Sequence, residues 1–496
     1  MTNKDFGPML NAYPDSLGST LKDAAELLGR PELKDVFSSF YVLPSLYHSD
    51  LDRGFCVVDY DLNEELATRD DIEALKALGI NLKLDFVLNH ASVMSPQFQD
   101  LLEKGENSKY KDFFINWNSF WEGCGEMTEE GFIKPDDKYI KDMFFRKPGL
   151  PILMVQFPDG REIPYWNTFY QKVWEEDGKR KYLGQMDLNI KSDTVWDFYD
   201  ETLGKIAGYG AKIVRLDAFA YAPKEPGAKN FMNEPGTWDL LSKVDGLAKT
   251  YGLQLLPEIH ASYGEGVYKT IADKGYMTYD FFLPGLLIDA IENHTSEHLA
   301  DWARELINNN ISVVNMLGCH DGIPLLDLKG ILSEDRIQSL IDIVVERGGY
   351  VKDLHGAKNM YYQVNATYYS ALGEDDAKLL LARAIQLFMP GKPQVWYLDL
   401  FAGVNDHEAV SLAGEGGHKE INRTNLSLDV IEEKLKLPLV QKQLDLLRFR
   451  NTNPAFAPDS KITLENDKEK LVITWEKDGN VARLEADLGS YEFVIQ

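Results

Sequence analysis

The reading on which the fold turns lies between Thr194 and Glu258, in four successive pieces: TVWDFYDETLGKIAG (194–208), IVRLD (213–217), WDLLSKVDGLAKTY (238–251) and LQLLPE (253–258). The first and third have helical patterning, and the second and fourth are short β-rich runs. Strand alternating with helix predicts a parallel sheet, because parallel neighbours need a crossover between them. The same rhythm extends outward. Strands are expected at Met9–Tyr13, Phe40–Pro44 and Leu82–Leu88 upstream, and at Met277–Phe281, Ser312–Asn315 and Gln394–Leu398 downstream, with a further helix at Asp70–Leu78. Several of these runs are continuously apolar, as strands buried on both faces should be. About eight such strands predict an α/β fold closed into a (β/α)8 TIM barrel.

Two stretches break the rhythm. Residues 91–186 are rich in aromatic residues, glycine and proline, including Trp117, Trp121, Trp166 and the run KPGLP. Residues 323–374 form a second excursion. Both follow a strand end, where barrel enzymes carry active-site loops. From residue 449 the pattern changes to alternating strands, KITLE, LVITWE, ARLEA and YEFVI, which predict a small C-terminal antiparallel β domain. The expected organisation is a barrel from residues 1–90, 187–322 and 375–448, with inserted subdomains at 91–186 and 323–374 and a β domain at 449–496. No internal repeat or low-complexity tract is present.

With 52 Lys and Arg against 79 Asp and Glu, the chain carries a net charge of −27. That balance repels nucleic acid and anionic membranes, so neither is an expected partner. Any anionic substrate has to be met by a local cluster of basic groups. Cys56, Cys124 and Cys319 lie far apart without CxxC spacing, which argues against a disulfide framework or zinc site and for reduced thiols in the cytoplasm. The N-terminus shows no charged region followed by an apolar run, and no apolar stretch of about 18 residues exists to span a bilayer. No oxygen-ligand cluster with calcium-loop spacing is evident, so no metal is expected.

Three expected strands lead into carboxylates: Asp217 after Arg215-Leu216, Glu258 after Pro257, and Asp321 in His320-Asp321-Gly322. Strand ends on the C-terminal side of a barrel share one pocket. Read singly, an Asp at a strand end is more often a helix cap or a structural salt bridge. Three converging acids need a chemical reason, since burying carboxylates without partners is costly. Retaining glycosyl transfer supplies one: a carboxylate nucleophile and a carboxylic acid about 5–5.5 Å apart, with a third carboxylate stabilising the transition state. Arg215, on the same strand face as Asp217, would favour ionisation of that nucleophile, and nearby carboxylates would help the acid keep its proton.

These motifs carry a resemblance. Asp85-Phe-Val-Leu-Asn89-His90, Gly210-Ala-Lys-Ile-Val-Arg215-Leu-Asp217, Glu258 and His320-Asp321 resemble, in order, the four signatures of the α-amylase clan of glycoside hydrolases. Gln185-Met-Asp-Leu-Asn189 is similar to the clan's extra motif before the fourth strand. Across the whole chain, RLDAFAYA, PEIH, HDGI, QVNATYYSALG, GKPQVWYLDLFAG and EINR resemble the sucrose phosphorylase subfamily. That resemblance implies Asp217 as nucleophile, Glu258 as general acid/base and Asp321 as transition-state stabiliser. It implies a glucosyl site of Asp52, His90, Arg215, His320 and Arg423 with Phe55 and Phe169 as apolar walls. It also implies phosphorolysis without any cofactor, giving α-glucose 1-phosphate.

For the acceptor and phosphate, the resemblance points to Gln185, Tyr221, His260, Tyr362 and Gln363. The loop Phe144-Phe145-Arg146-Lys147-Pro148-Gly149 departs from plain sucrose phosphorylases, which carry proline at the Arg146 position and arginine at the Lys147 position. Arg146 and His355 resemble the pair that holds the fructose phosphate in sucrose 6'-phosphate phosphorylases, and an arginine fork suits a phosphate. Composition alone favours reading Arg146, Lys147 and His355 as solvated loop charges. The expected substrates are therefore sucrose 6'-phosphate, or plain sucrose, with inorganic phosphate. Action on glucosylglycerate or glucosylglycerol, hydrolysis or transglucosylation, and a non-catalytic amylase-like interaction protein remain open alternatives. So does the choice between monomer and homodimer.

Overall fold

The computed structural model describes residues 6–351, 363–414 and 417–496. His355 and Tyr362, expected at the acceptor site, lie outside these described residues. An eight-stranded parallel sheet comprises β1 (Met9–Ala12), β2 (Ser39–Val42), β3 (Asn81–Val87), β4 (Ala211–Asp217), β5 (Gln254–Pro257), β6 (Thr278–Asp280), β7 (Val313–Met316) and β8 (Lys392–Trp396). Their order in the sheet is β5-β4-β3-β2-β1-β8-β7-β6. This is the cyclic order of a nearly closed (β/α)8 barrel, and each strand overlaps one expected from sequence.

Contacts divide the chain into two units, Met1–Val42, Glu65–Lys83 and Ile259–Gln496 in the first, Leu43–Glu64 and Leu84–Glu258 in the second. Strand β3 runs from one to the other. In the first unit β1 pairs with β2 from Met9↔Ser39 to Ala12↔Val42 and with β8 from Met9↔Gln394 to Asn11↔Trp396. One buried position is unexpectedly basic. Lys83 of β3 donates to Gln394 Oε1 at 2.8 Å, hydrogen-bonds Tyr279, and lies 3.8 Å from the centre of the Tyr41 ring. A buried ammonium needs such partners, and here three other strands provide them.

The crossover helices show why apolar period and strand pattern agree. Helix α1 (Arg69–Ala77) begins with a reciprocal Thr68/Asp71 capping box and buries Ile72 and Leu75. In the second unit, α2 (Asp193–Gly208) buries Val195, Tyr199, Thr202, Leu203 and Ile206, a helical stripe facing the sheet. Helix α3 (Gly236–Thr250) buries Leu240, Leu241, Val244 and Ala248. The aromatic-rich excursion forms its own core. Trp117, Trp121 and Trp166 are all fully buried, with the Trp117 and Trp166 rings 4.8 Å apart.

Farther along the first unit, α4 (Asp376–Phe388) is buried along most of its length, and α5 (Pro438–Thr452) continues through Phe449 and Arg450. The tail then forms an antiparallel sheet of β9 (Lys461–Asp467), β10 (Lys470–Lys477), β11 (Asn480–Asp487) and β12 (Phe493–Ile495) in sequential order. Its inner face presents Leu471, Ile473, Trp475, Ala482, Leu484 and Ala486. Trp475 Nε1 donates to the Phe388 carbonyl at 2.7 Å, and the Arg450 guanidinium lies 4.6 Å from its ring. Among the described residues no helix is long and apolar enough to cross a membrane.

Trp475→Ala should lower the unfolding free energy by about 3–5 kcal/mol, read as a lower denaturant midpoint. A midpoint within experimental error of the parent would refute the anchoring role given to this side chain.

Candidate active site

Strand β4 ends on Arg215-Leu216-Asp217, and alternation sends Arg215 and Asp217 to the same face. Arg215 is buried, and its Nη1 donates to Asp85 Oδ1 at 2.6 Å and to Asp217 Oδ1 at 2.9 Å. Its Nη2 lies 2.9 Å from Glu258 Oε1. One guanidinium therefore holds a carboxylate from β3, one from the end of β4 and one from the residue after β5. The planar fork is suited to this, since it presents donors in fixed directions. Phe55 closes over the group, with its ring centre 5.3 Å from the guanidinium carbon. Ala218 adopts φ 52° and turns the chain sharply after Asp217.

Asp52 and Phe55 sit on a short turn whose shape depends on Gly54. This residue has φ +115°, and an added Cβ would meet the Ser45 nitrogen at 2.1 Å. Asp52 is exposed there and Phe55 is buried. The Phe55 carbonyl accepts from His90 Nε2 at 3.0 Å and from Gln185 Nε2 at 3.2 Å. Burial holds the His90 imidazole below its ordinary range, so the ring is neutral with its proton on Nε2. Gln185 is fixed in turn by the Tyr170 amide, which donates to its Oε1 at 3.2 Å.

A buried ion pair orders the surrounding aromatic residues. Lys224 Nζ lies 2.8 Å from Asp187 Oδ2 and donates to Asn89 Oδ1 at 3.1 Å and the Tyr221 carbonyl at 2.6 Å. Asp187 also accepts from the Thr168 amide at 2.7 Å and hydroxyl at 2.6 Å. The pair thus ties Tyr221, the neighbour of Phe169 and the neighbour of His90 to one point. Burial lowers the Lys224 pKa, opposed by the Asp187 charge. Phe169 packs 5.0 Å from His90 and 5.3 Å from Tyr221, measured between ring centres.

Arg146 comes to the same cluster. Its Nη1 donates to Tyr221 Oη at 2.9 Å, and its guanidinium carbon lies 5.2 Å from the Phe169 ring centre. The loop is pinned by buried Asn230, which accepts from the Phe144 amide and donates to the Phe144 carbonyl, both at 2.8 Å. Lys147 turns instead to the Asn167 side-chain carbonyl, where burial brings its pKa down to about 8.

The first unit carries a second constellation. Asp321 Oδ1 lies 2.6 Å from Lys419 Nζ and 3.6 Å from Arg423 Nη2, and its Oδ2 lies 3.2 Å from His320 Nε2. Burial would raise the Asp321 pKa, but His320, Lys419 and Arg423 more than offset it and hold the carboxyl well below its usual range. Arg423 Nε donates to the His320 carbonyl at 2.9 Å, and Asn365 Nδ2 to the Asp321 carbonyl at 2.7 Å. Gly322, at φ +106°, lets this turn approach Val364, whose carbonyl would stand 2.5 Å from an added Cβ. His260 stacks on Phe281 with ring centres 3.9 Å apart, and Gln363 Nε2 lies 3.4 Å from His260 Nε2.

Sequence reasoning did not single out Lys224, Asn230 or Lys419. Lys224 and Asn230 follow β4 in an irregular stretch, and Lys419 stands near Arg423 in EINR; nothing in local periodicity distinguishes them from solvated residues. Asp85 and Asp187 were visible only as members of motifs.

A family model for the alpha-amylase catalytic domain matches residues 34–281. The chain is 55% identical to a protein named sucrose 6(F)-phosphate phosphorylase from Ilumatobacter coccineus, over 98% of this chain and 95% of that one. It is 35% identical to a sucrose phosphorylase of Streptococcus mutans, over 97% of this chain and 95% of that one. The crystal structure of sucrose 6F-phosphate phosphorylase from Thermoanaerobacter thermosaccharolyticum superposes with a TM-score of 0.89 at 37% identity, covering 100% of this chain and 96% of that one.

Lys224→Met leaves Asp187 buried without its cation and should cost about 3–5 kcal/mol of stability. Adding Asp187→Asn should recover part of that loss in the same denaturation assay. If the double variant is less stable than Lys224→Met, the pair does not act as a unit.

Proposed function

This chain belongs to the α-amylase family, and within it to the disaccharide phosphorylases; on that footing we propose that it converts sucrose 6'-phosphate and inorganic phosphate into α-D-glucose 1-phosphate and fructose 6-phosphate with retention. The observation that carries the chemistry is the Arg215 fork, which holds Asp217 and Glu258 on one buried guanidinium at 2.9 Å each.

Asp217 attacks the anomeric carbon as the bond to the fructosyl oxygen breaks, and Glu258 gives its proton to that oxygen. The product of this step is a glucosyl ester on Asp217 and free fructose 6-phosphate. A phosphate oxygen then attacks the same carbon, Glu258 takes up a proton, and Asp217 leaves as carboxylate. Two inversions give net retention. Asp321, ionised by its three cations, stabilises the positive charge that develops on the sugar in both steps. Asp52, His90, Arg215, His320 and Arg423 hold the glucosyl unit, and Phe55 and Phe169 flank it.

Arg146 is proposed as the main acceptor-phosphate ligand. Support comes from its hydrogen bond to Tyr221, which sets a guanidinium beside Phe169 in a strongly acidic chain. Charge-assisted hydrogen bonds to phosphate are among the stronger ones available. Lys147, Gln185, Tyr221, His260 and Gln363 complete the acceptor and phosphate contacts, with His355 and Tyr362 from outside the described residues. We infer the same division of labour among barrel, inserts 91–186 and 323–374, and the β domain from 449. A cytoplasmic setting is supported by Cys56, Cys124 and Cys319 all being free thiols.

Asp217→Asn should abolish glucose 1-phosphate release, measured by coupled assay with sucrose 6'-phosphate and phosphate; residual turnover at the parent rate would remove Asp217 as nucleophile. The parent enzyme should use sucrose 6'-phosphate far better than sucrose. Arg146→Ala should raise KM for the phosphorylated sugar about 10- to 100-fold and leave turnover of plain sucrose little changed. Equal efficiency on both sugars, unaltered by Arg146→Ala, would point to sucrose as the substrate.

A further inference from the structure

We propose that Lys419 is a positioning residue for Asp321, holding that carboxylate ionised and aimed before the sugar arrives. The inference rests on the reading of Asp321 as the transition-state stabiliser.

A group with that task has to be an anion with a fixed direction. Burial works against the first requirement, since desolvation favours the neutral acid. A short side chain on a turn works against the second. The neighbours of Asp321 within its own unit divide these tasks unequally. His320, adjacent in sequence, approaches Oδ2 at 3.2 Å. Arg423 reaches Oδ1 only at 3.6 Å, while its Nε is committed to the His320 carbonyl at 2.9 Å and its Nη1 lies 3.6 Å from Glu420. Asn365 holds the main chain rather than the carboxylate. Lys419 makes the shortest of these contacts, a direct side-chain hydrogen bond of 2.6 Å from Nζ to Oδ1.

The two Oδ1 cations also differ in exposure. The Arg423 side chain is 2% exposed, whereas that of Lys419 is 28% exposed. Arg423 is therefore part of the packed wall that shapes the turn. Lys419 is a solvent-reachable ammonium on the segment Gly417–Asn422, with a compact charge and freely rotating donors. Such a group can hold a carboxylate oxygen in the empty enzyme and still yield geometry when a sugar hydroxyl comes to that oxygen. The carboxylate stays charged throughout, because the ammonium remains nearby.

The test uses the full-length enzyme and α-D-glucosyl fluoride, a donor whose own charge does not titrate in the working range, with fluoride release as readout. The pH profile of kcat/KM reports groups of the free enzyme. Lys419→Met should move the acid limb upward by about one pH unit, because Asp321 then protonates more readily. Lys419→Arg should return the limb toward its original position. A change in stability alone would leave the limb where it was. An unshifted acid limb in a folded Lys419→Met enzyme overturns the proposal. Asp321→Asn serves as the control: loss of fluoride release supports the role of Asp321 on which the proposal stands, while parent-like release overturns that role itself, whatever Lys419→Met does.

Discussion

A single guanidinium, that of Arg215, is asked to satisfy Asp85, Asp217 and Glu258 while itself being buried. This is an expensive arrangement unless every partner is placed by something rigid. The three carboxylates come from three neighbouring strands of a parallel sheet, β3, β4 and β5, whose spacing is set by backbone hydrogen bonding. Loops could not hold that geometry as tightly. The buried run of β4 from residue 213 to 216 and the helices that cover it therefore serve the site as well as the core. The cation leaves the group negative overall, which suits a reaction whose transition state places positive charge on the sugar.

A similar economy governs the aromatic walls. Lys224 and Asp187 contribute no group to the chemistry proposed for the chain, yet their buried pair touches the segments that carry Tyr221, Phe169 and His90. Lys224 directs all three of its donors to partners, so its charge is neutralised locally. Neutral His90 can then face Phe55 and Gln185 without adding a second buried charge. In a chain of net charge −27, any anionic substrate has to be met by a local group of cations. Arg146 meets Tyr221 through a neutral hydroxyl, beside the Phe169 ring.

Much of this was legible before any coordinates. All eight barrel strands follow from apolar runs and their spacing, and the helices α1, α2 and α3 from amphipathic stripes, because burial of one face imposes a local period on the chain. Asp217, Glu258 and Asp321 stand out because each follows such a strand. The tail's four strands are equally plain, although α5 runs on through Phe449 and Arg450 to Thr452 before they begin at Lys461. The helix persists there because Arg450 is held by the carbonyls of Leu387 and Gly391, a constraint from far along the chain.

What the linear order could not disclose is which partner each charge takes in the folded chain. Arg146 and Lys147 are adjacent, yet one meets Tyr221 beside Phe169 and the other turns to Asn167. Lys419 reads as a surface lysine and stands 2.6 Å from Asp321. Local pattern alone determined the eight strands and the barrel class and drew attention to the three acids, since those depend on periodicity and on where strands end. Only the tertiary structure decided their partners, because a hydrogen bond between residues a hundred positions apart leaves no periodic trace in either segment.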